Sequence, residues 1–317
     1  MKKAILFLVG MFLMVSCVNN KSTESVTSLK EIQPEQLSEG FRLLENSCFS
    51  CHNPNPTLGN KIAPSFAEIK KNYIGKNSTQ NQFEENVIQF VNNPIKENSK
   101  IKGAIDKYGS MPKLSFSTKQ LKAIAYYIYN TNIESVDWYK NQYKKEKLKL
   151  KNTKIVLSPI QQGKEIVMKT KGVLGKNLLG AIKSKGTKSA LEFCNEKAVF
   201  LVDSMAVKLN AKIKRVSDKN RNPNNRASGA ELEYILNAKQ GLKNGIKPKP
   251  KLINIDGKQI KYYPIMTNKM CMQCHGKPKV DIKIATQKAI DLLYPNDNAF
   301  GYKENELRGI WVIETDK

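Results

Sequence analysis

Residues 37–52 read "LSEGFRLLENSCFSCH", a stretch that ends in Cys48, Cys51 and His52. The same ending returns as "CMQCH" at Cys271, Cys274 and His275. C-x-x-C-H is the attachment pattern for a c-type haem: the two thiols add to the porphyrin vinyl groups, and the histidine that follows is aimed at the iron. The chain has six cysteines and two histidines, and both histidines lie in these motifs. Two covalently bound c-type haems are therefore expected. Zinc explains the pattern less well, because tetrahedral sites built from paired C-x-x-C elements need no histidine after each pair. With no third histidine, each iron takes a different sixth ligand from this chain or keeps an open position.

Upstream of the first motif, Gly40 and Leu44 lie eight and four residues before Cys48 on a helical pattern. Downstream, "STKQLKAIAYYIYN" (117–130) opens with a capping box of Ser117 and Gln120 and repeats Leu121, Ile124, Tyr127 and Ile128 at helical spacing. Pro64 follows His52 by twelve residues, and Met111 sits in the Gly- and Pro-bounded loop "YGSMPKL". In these features residues 31–133 resemble the class I c-type cytochromes. The resemblance implies an all-α fold whose first and last helices approach closely at a glycine. It also implies a Pro64 carbonyl that accepts the other ring N–H of His52, and Met111 as sixth ligand, which raises the potential. The alternative for Met111 is a core gap-filler.

Residues 134–155, with six lysines and one glutamate between Lys144 and Lys154, read as a charged spacer or a solvated helix, with a docking strip as the rival reading. Residues 156–317 then give two long helical patterns, 158–186 and 187–211, followed by short segments of β character and a hairpin turn at Asp256-Gly257. The order suits an α+β domain with an antiparallel sheet. The segments "CNEKA" (194–198), "KRVSDKNRNPNN" (214–225), "YYPIMTNKMCMQCHG" (262–276) and "YPNDNAFGY" with "LRGIWVIE" (294–314) resemble a family of exported c-type haem proteins with a PAS-like fold. That resemblance implies Cys194 as the distal ligand of the second haem. The residues themselves leave two alternatives, a buried Cys serving as a small hydrophobe and an intermolecular disulfide. Met168, Met205 and Met266 are fallback ligands. Arg215 and Arg221 are candidates to pair with haem propionates, with a solvated loop as the alternative.

At the amino terminus, Lys2 and Lys3 precede a short apolar run ending in "LMVSC", which resembles the recognition box of bacterial lipoproteins. Residues 1–16 are then a signal peptide, Cys17 is lipidated, and 17–30 form a tether. An ordinary cleaved signal peptide is the alternative. The expected place is the periplasmic side of a bacterial membrane. The net charge of +25 comes from 53 basic residues, five of them arginine. In an exported chain this argues against nucleic acid; the basic surface reads either as steering toward an acidic redox protein or an anionic membrane surface, or as a lysine-biased solvated surface with no such role.

The function expected is one-electron transfer by a membrane-anchored dihaem cytochrome c, with other redox proteins as donor and acceptor. The alternative is a haem-based redox or gas sensor acting through a separate partner. Catalysis, such as peroxide reduction, is not expected, since no distal histidine is available as an acid–base group.

Overall fold

Two helices that cross where one side chain is missing organise the first half of the molecule. In the computed structural model, which describes residues 34–57, 62–75, 77–114, 116–153 and 156–316, α1 (Pro34–Ser47) packs on α5 (Thr118–Asn130). A Cβ at Gly40 would collide with the Ala123 carbonyl oxygen and lie 2.7 Å from Tyr127 Cβ, so only glycine permits this crossing. Between them run α2 (Phe66–Tyr73), α3 (Gln80–Asn92) and the short α4 (Ala104–Tyr108). Helices α2, α3 and α5 each begin with a capping box, at Ser65–Glu68, Thr79–Gln82 and Ser117–Gln120, which satisfies amide donors the helix leaves open. Leu44, Phe49, Phe66, Phe83, Leu121 and Tyr127 fill the core.

The stretch read as a charged spacer or a solvated helix is helical, with its amino-terminal part packed into the first core. A π-helical turn (Trp138–Tyr143) runs into α6 (Lys144–Asn152). Trp138 and Tyr143 belong to the same core as Leu44 and Phe49, and the Trp138 indole N–H donates to the Tyr127 hydroxyl at 3.1 Å. Burial of two aromatic residues against α1 and α5 overrides the lysine bias, which stays on the solvent side of α6.

Helix α7 (Pro159–Glu196) starts at a Ser158–Gln161 capping box and is interrupted at Gly186, whose φ of 77° is not helical. Glu165, Gly172 and Leu179, seven residues apart, all meet the first half of the chain: Glu165 pairs with Arg42, Gly172 backs onto Ser50, and Leu179 lines a cavity there. Val167 and Leu174, two residues offset and so on the other side of the helix, pack with α8 (Ala198–Lys208) and the sheet. The helix is a wall shared by both halves, and Pro34–Lys317 form one compact unit.

The sheet is antiparallel throughout, in the order β1 (Lys212–Val216), β4 (Leu307–Asp316), β3 (Lys258–Met266), β2 (Lys251–Ile255). Asp256 and Gly257, both at positive φ, make the β2–β3 hairpin turn, as the type I′ geometry requires. Alternation along the strands sorts the faces. Ile213, Tyr263, Trp311 and Ile313 face α7 and α8, while Val216, Tyr262, Ile310 and Val312 pack with Ile235 of α9 (Gly229–Lys243). The last helices, α10 (Met272–His275) and α11 (Ile284–Leu293), carry and cover the second motif. No helix among the described residues is long and apolar enough to cross a membrane. Residues 1–16, Cys17 and the 17–30 tether lie outside the described residues.

Candidate haem sites

The first motif follows directly from the end of α1, so the helix sets the direction in which Cys48, Cys51 and His52 leave it. All three line a cleft together with Met111, Pro64, Phe66, Ile124, Ile128 and Leu179. Its walls are almost wholly apolar, as a porphyrin face requires. His52 Nδ1 donates to the Pro64 carbonyl at 2.8 Å, which fixes the ring and leaves its other nitrogen for metal. Burial holds His52 below its ordinary pKa, against the opposing pull of the Pro64 bond, so the ring is neutral and able to ligate. Burial also pushes the Cys48 thiol up to about 12. A thioether removes that ionisation. Cleft, thiols and histidine fit a covalently attached haem, with Met111 on the lining.

The second motif follows β3 through Thr267 and Asn268, whose side chain caps the turn into Cys271. Here His275 Nδ1 donates to the Ala299 carbonyl at 2.7 Å, the counterpart of the Pro64 contact. The Ala299 loop is itself held: Asp297 accepts the Ala299 N–H at 2.7 Å and forms a buried pair with Arg221 at 2.9 Å. Arg221 also donates to the Cys274 carbonyl at 2.5 Å. The sequence aimed Arg221 at a propionate. In the structure its fork is taken up by Asp297 and two backbone carbonyls, and it straps the Ala299 loop to the motif. Leu191, Ile282, Ala289 and Ile290 pack around Cys274, whose thiol burial raises to about 11.

Cys194 lies near the end of α7, half-buried. Burial raises its pKa, while Arg215 and Arg221 pull it down, and its charge in turn acts on Cys274. The fold therefore brings Cys194, Arg215, Arg221 and the second motif together across about eighty residues of chain. Arg215 stacks on Trp311, 5.4 Å from the ring centre. Of the fallback ligands, Met205 sits in the core between α7, α8 and the sheet, and Met266 packs with the α9-side cluster; Met168 is buried.

Three residues at this site, Arg308, Ala299 and Asp297, are not marked in the sequence. Arg308, on β4, donates one guanidinium nitrogen to the Lys219 carbonyl at 2.9 Å, yet its Nε is buried without a hydrogen-bond partner among the described residues. His275 is held well below its ordinary pKa by burial first and then by the charges of Arg308, Arg221 and Arg215. Three guanidinium groups around one histidine, with Asp297 the carboxylate that pairs with Arg221, leave positive charge and a donor to be satisfied. Two ionised propionates fit that demand. Strand β4 offered no signal for this, since Arg308 lies in a hydrophobic run and is distant in sequence from both motifs. The acceptor Ala299 was equally illegible, because any residue supplies a carbonyl. Among the described residues no three His, Cys, Asp or Glu side chains gather as ligands for a bare metal ion.

A helical half carrying a C-x-x-C-H motif in an apolar cleft, followed by a mixed α+β half with a second such motif, defines a c-type haem protein. The chain belongs to the Tll0287-like family, whose model matches residues 117–315; the cytochrome c family model matches residues 37–132, and the two overlap on α5. Among solved structures the chain is similar to the crystal structure of the cyanobacterial heme-protein Tll0287, with 20% identity and a TM-score of 0.38 over 51% of this chain and 98% of that one. No curated protein matches the chain. The cytochrome c match implies a c-type haem with iron, and Cys48 and Cys51 are consistent with its attachment site.

Proposed function

We propose that the chain is a dihaem electron carrier, with one haem at each C-x-x-C-H motif, that passes single electrons between redox proteins on the periplasmic side of a bacterial membrane. The observation that carries this reading is the repeated orientation of the histidines: His52 Nδ1 meets a carbonyl at 2.8 Å and His275 Nδ1 meets one at 2.7 Å. Both rings thereby keep the opposite nitrogen for an iron. Haem iron, when bound, supplies a one-electron couple. The residues around it set the couple's potential and access. Met111 on the first cleft favours the reduced state, whereas a Cys194 thiolate favours the oxidised state. Electrons then run downhill from the site of His275 to the site of His52. Arg308 and Arg215 hold propionates, and Arg221 with Asp297 holds the Ala299 carbonyl against His275.

The lipoprotein-like amino terminus supports a tether at Cys17, and the basic surface suits acidic redox partners. Electron carriage, rather than turnover of a substrate, is the activity the cytochrome c half supports. The test is a redox titration of the purified holoprotein with optical and EPR spectra, beside Cys194→Ser. Two separated waves and a low-spin thiolate signature lost in the variant are expected. A single wave, or a spectrum unchanged by the substitution, overturns the ligand assignment. Rapid carbon monoxide uptake at the second site would favour sensing.

A further inference from the structure

Helix α7 touches the segment that carries Met111 at both of its ends and in between. Lys164 Nζ lies 5.9 Å from the centre of the Phe116 ring and donates to Gln120 Oε1 at 3.3 Å. Lys171 Nζ donates to the Lys113 carbonyl at 3.4 Å. Leu179 lines the first cleft beside Tyr108, Met111 and Pro112, and Lys183 Nζ lies 5.0 Å from the centre of the Tyr108 ring. The partners run backwards along the chain as α7 runs forwards, so the Met111 loop is laid antiparallel on the helix. All four α7 residues precede the break at Gly186. From its own half the loop is held by the Ser110 hydroxyl, which donates to the Pro94 carbonyl at 2.9 Å, and by the Tyr108 hydroxyl, which donates to Glu68 at 3.2 Å. Lys107 also flanks the Tyr108 ring, at 4.8 Å.

We infer that α7 is the brace of the Met111 loop, and that Leu179 and Lys183 are positioning residues that keep the Met111 sulphur on the iron of the first haem. This rests on Met111 as sixth ligand of that haem. A thioether carries no charge to draw it to a metal and is a weak donor of electron density, so its bond depends on the loop that presents it. Loops are the more mobile part of a fold, and a site is precise only where rigid elements hold it. Leu179 closes the cleft beside the ligand, and Lys183 fixes the ring three residues before it. With the brace loosened, the iron is open for part of the time, and an outside ligand binds in proportion to that open fraction. The helix that opens the second half thereby tunes the first haem without reaching its iron.

The experiment uses full-length ferric holoprotein. The weak far-red absorption band that marks a thioether on ferric haem is recorded first, beside Met111→Ala. A band absent from the wild type, or retained in Met111→Ala, refutes Met111 as the ligand and is recognised before any change to α7 is judged. With the band assigned, imidazole is titrated as a competing sixth ligand, followed by loss of the band, and the potential of the first haem is measured. Leu179→Ala should raise the imidazole affinity roughly tenfold and lower the potential. Lys183→Ala should raise the affinity about two- to five-fold, the size expected from losing a cation–π contact at an exposed position. Lys183→Arg, which keeps a cation over the Tyr108 ring, should restore the wild-type value. Val167→Ala, on the sheet side of the same helix, should lower stability and move neither readout. Affinities unchanged in Leu179→Ala and Lys183→Ala, or shifted as far by Val167→Ala, overturn the proposal. If Leu179→Ala fails to load the first haem, the two Lys183 variants decide: a rise in Lys183→Ala that Lys183→Arg reverses supports the brace, and equal affinities in both count against it.

Discussion

Asp297 shows how much a single side chain can hold at this site. It accepts two nitrogens of Arg221 and the N–H of Ala299, whose carbonyl orients His275. The pair is nearly closed to solvent, with side-chain exposures of 9% for Arg221 and 6% for Asp297. Removing one partner leaves the other charged and buried, so Asp297→Ala should cost about 3–5 kcal/mol, read from urea unfolding. The double replacement of Arg221 and Asp297 by apolar residues should cost less than the sum of the single changes. Gly40 acts by absence: Gly40→Ala drives a methyl group into the Ala123 carbonyl and Tyr127. A loss of about 1–3 kcal/mol is expected from overpacking, visible as a lower unfolding midpoint with α-helical signal retained.

Elements in this molecule are joined by side chains that bridge neighbours in space. On the central strand β4, Glu314 reaches Lys258 of β3 at 3.0 Å and Lys212 of β1 at 3.2 Å. Those two lysines hold its carboxyl below the ordinary value. A carboxylate lowered in the folded state stabilises above its unfolded pKa, and that contribution is lost as pH falls through the folded value. Glu314→Gln should therefore be less stable than the wild type at neutral pH, with the difference closing in acid below the usual carboxylate range; a gap that persists there would show that the charge is not its source. The π-helical turn offers a second case. Trp138 is 2% exposed and lies against Phe49, inside the first motif. Trp138→Ala should cost about 3–5 kcal/mol, a loss that a free spacer would not show in chemical unfolding.

For the whole molecule, the governing quantities are charge and connection. A net charge of +25 creates a field that draws acidic partners, and such steering weakens as salt shortens its reach. The second-order rate of electron exchange with an acidic redox protein should fall as ionic strength rises, measured by stopped flow. A salt-independent rate would remove charge from the account of partner choice. Connection is the business of α7. Its two faces belong to different halves, so changes at Glu165 or Gly172 act first on the helical half, whereas changes at Val167 or Leu174 act first on the sheet side.

Local chemistry was legible without coordinates. The two C-x-x-C-H motifs, the capping box at Ser117, the break between the helical patterns at Gly186 and the hairpin at Asp256-Gly257 all follow from residue type at short spacing, whereas the glycine crossing at Gly40 was implied only by the resemblance to class I cytochromes. Such signals lie within a few residues of one another, where backbone preference and side-chain reach decide the outcome. The tertiary structure alone decided that Trp138 and Tyr143 pack into the first core, that Arg221 faces Asp297, and that Ala299 and Arg308 lie at the second motif. It also decided that one helix is shared by both halves. Each of these depends on groups far apart in sequence meeting across a packed interface, and neither a carbonyl nor a buried lone donor leaves any mark in the order of residues.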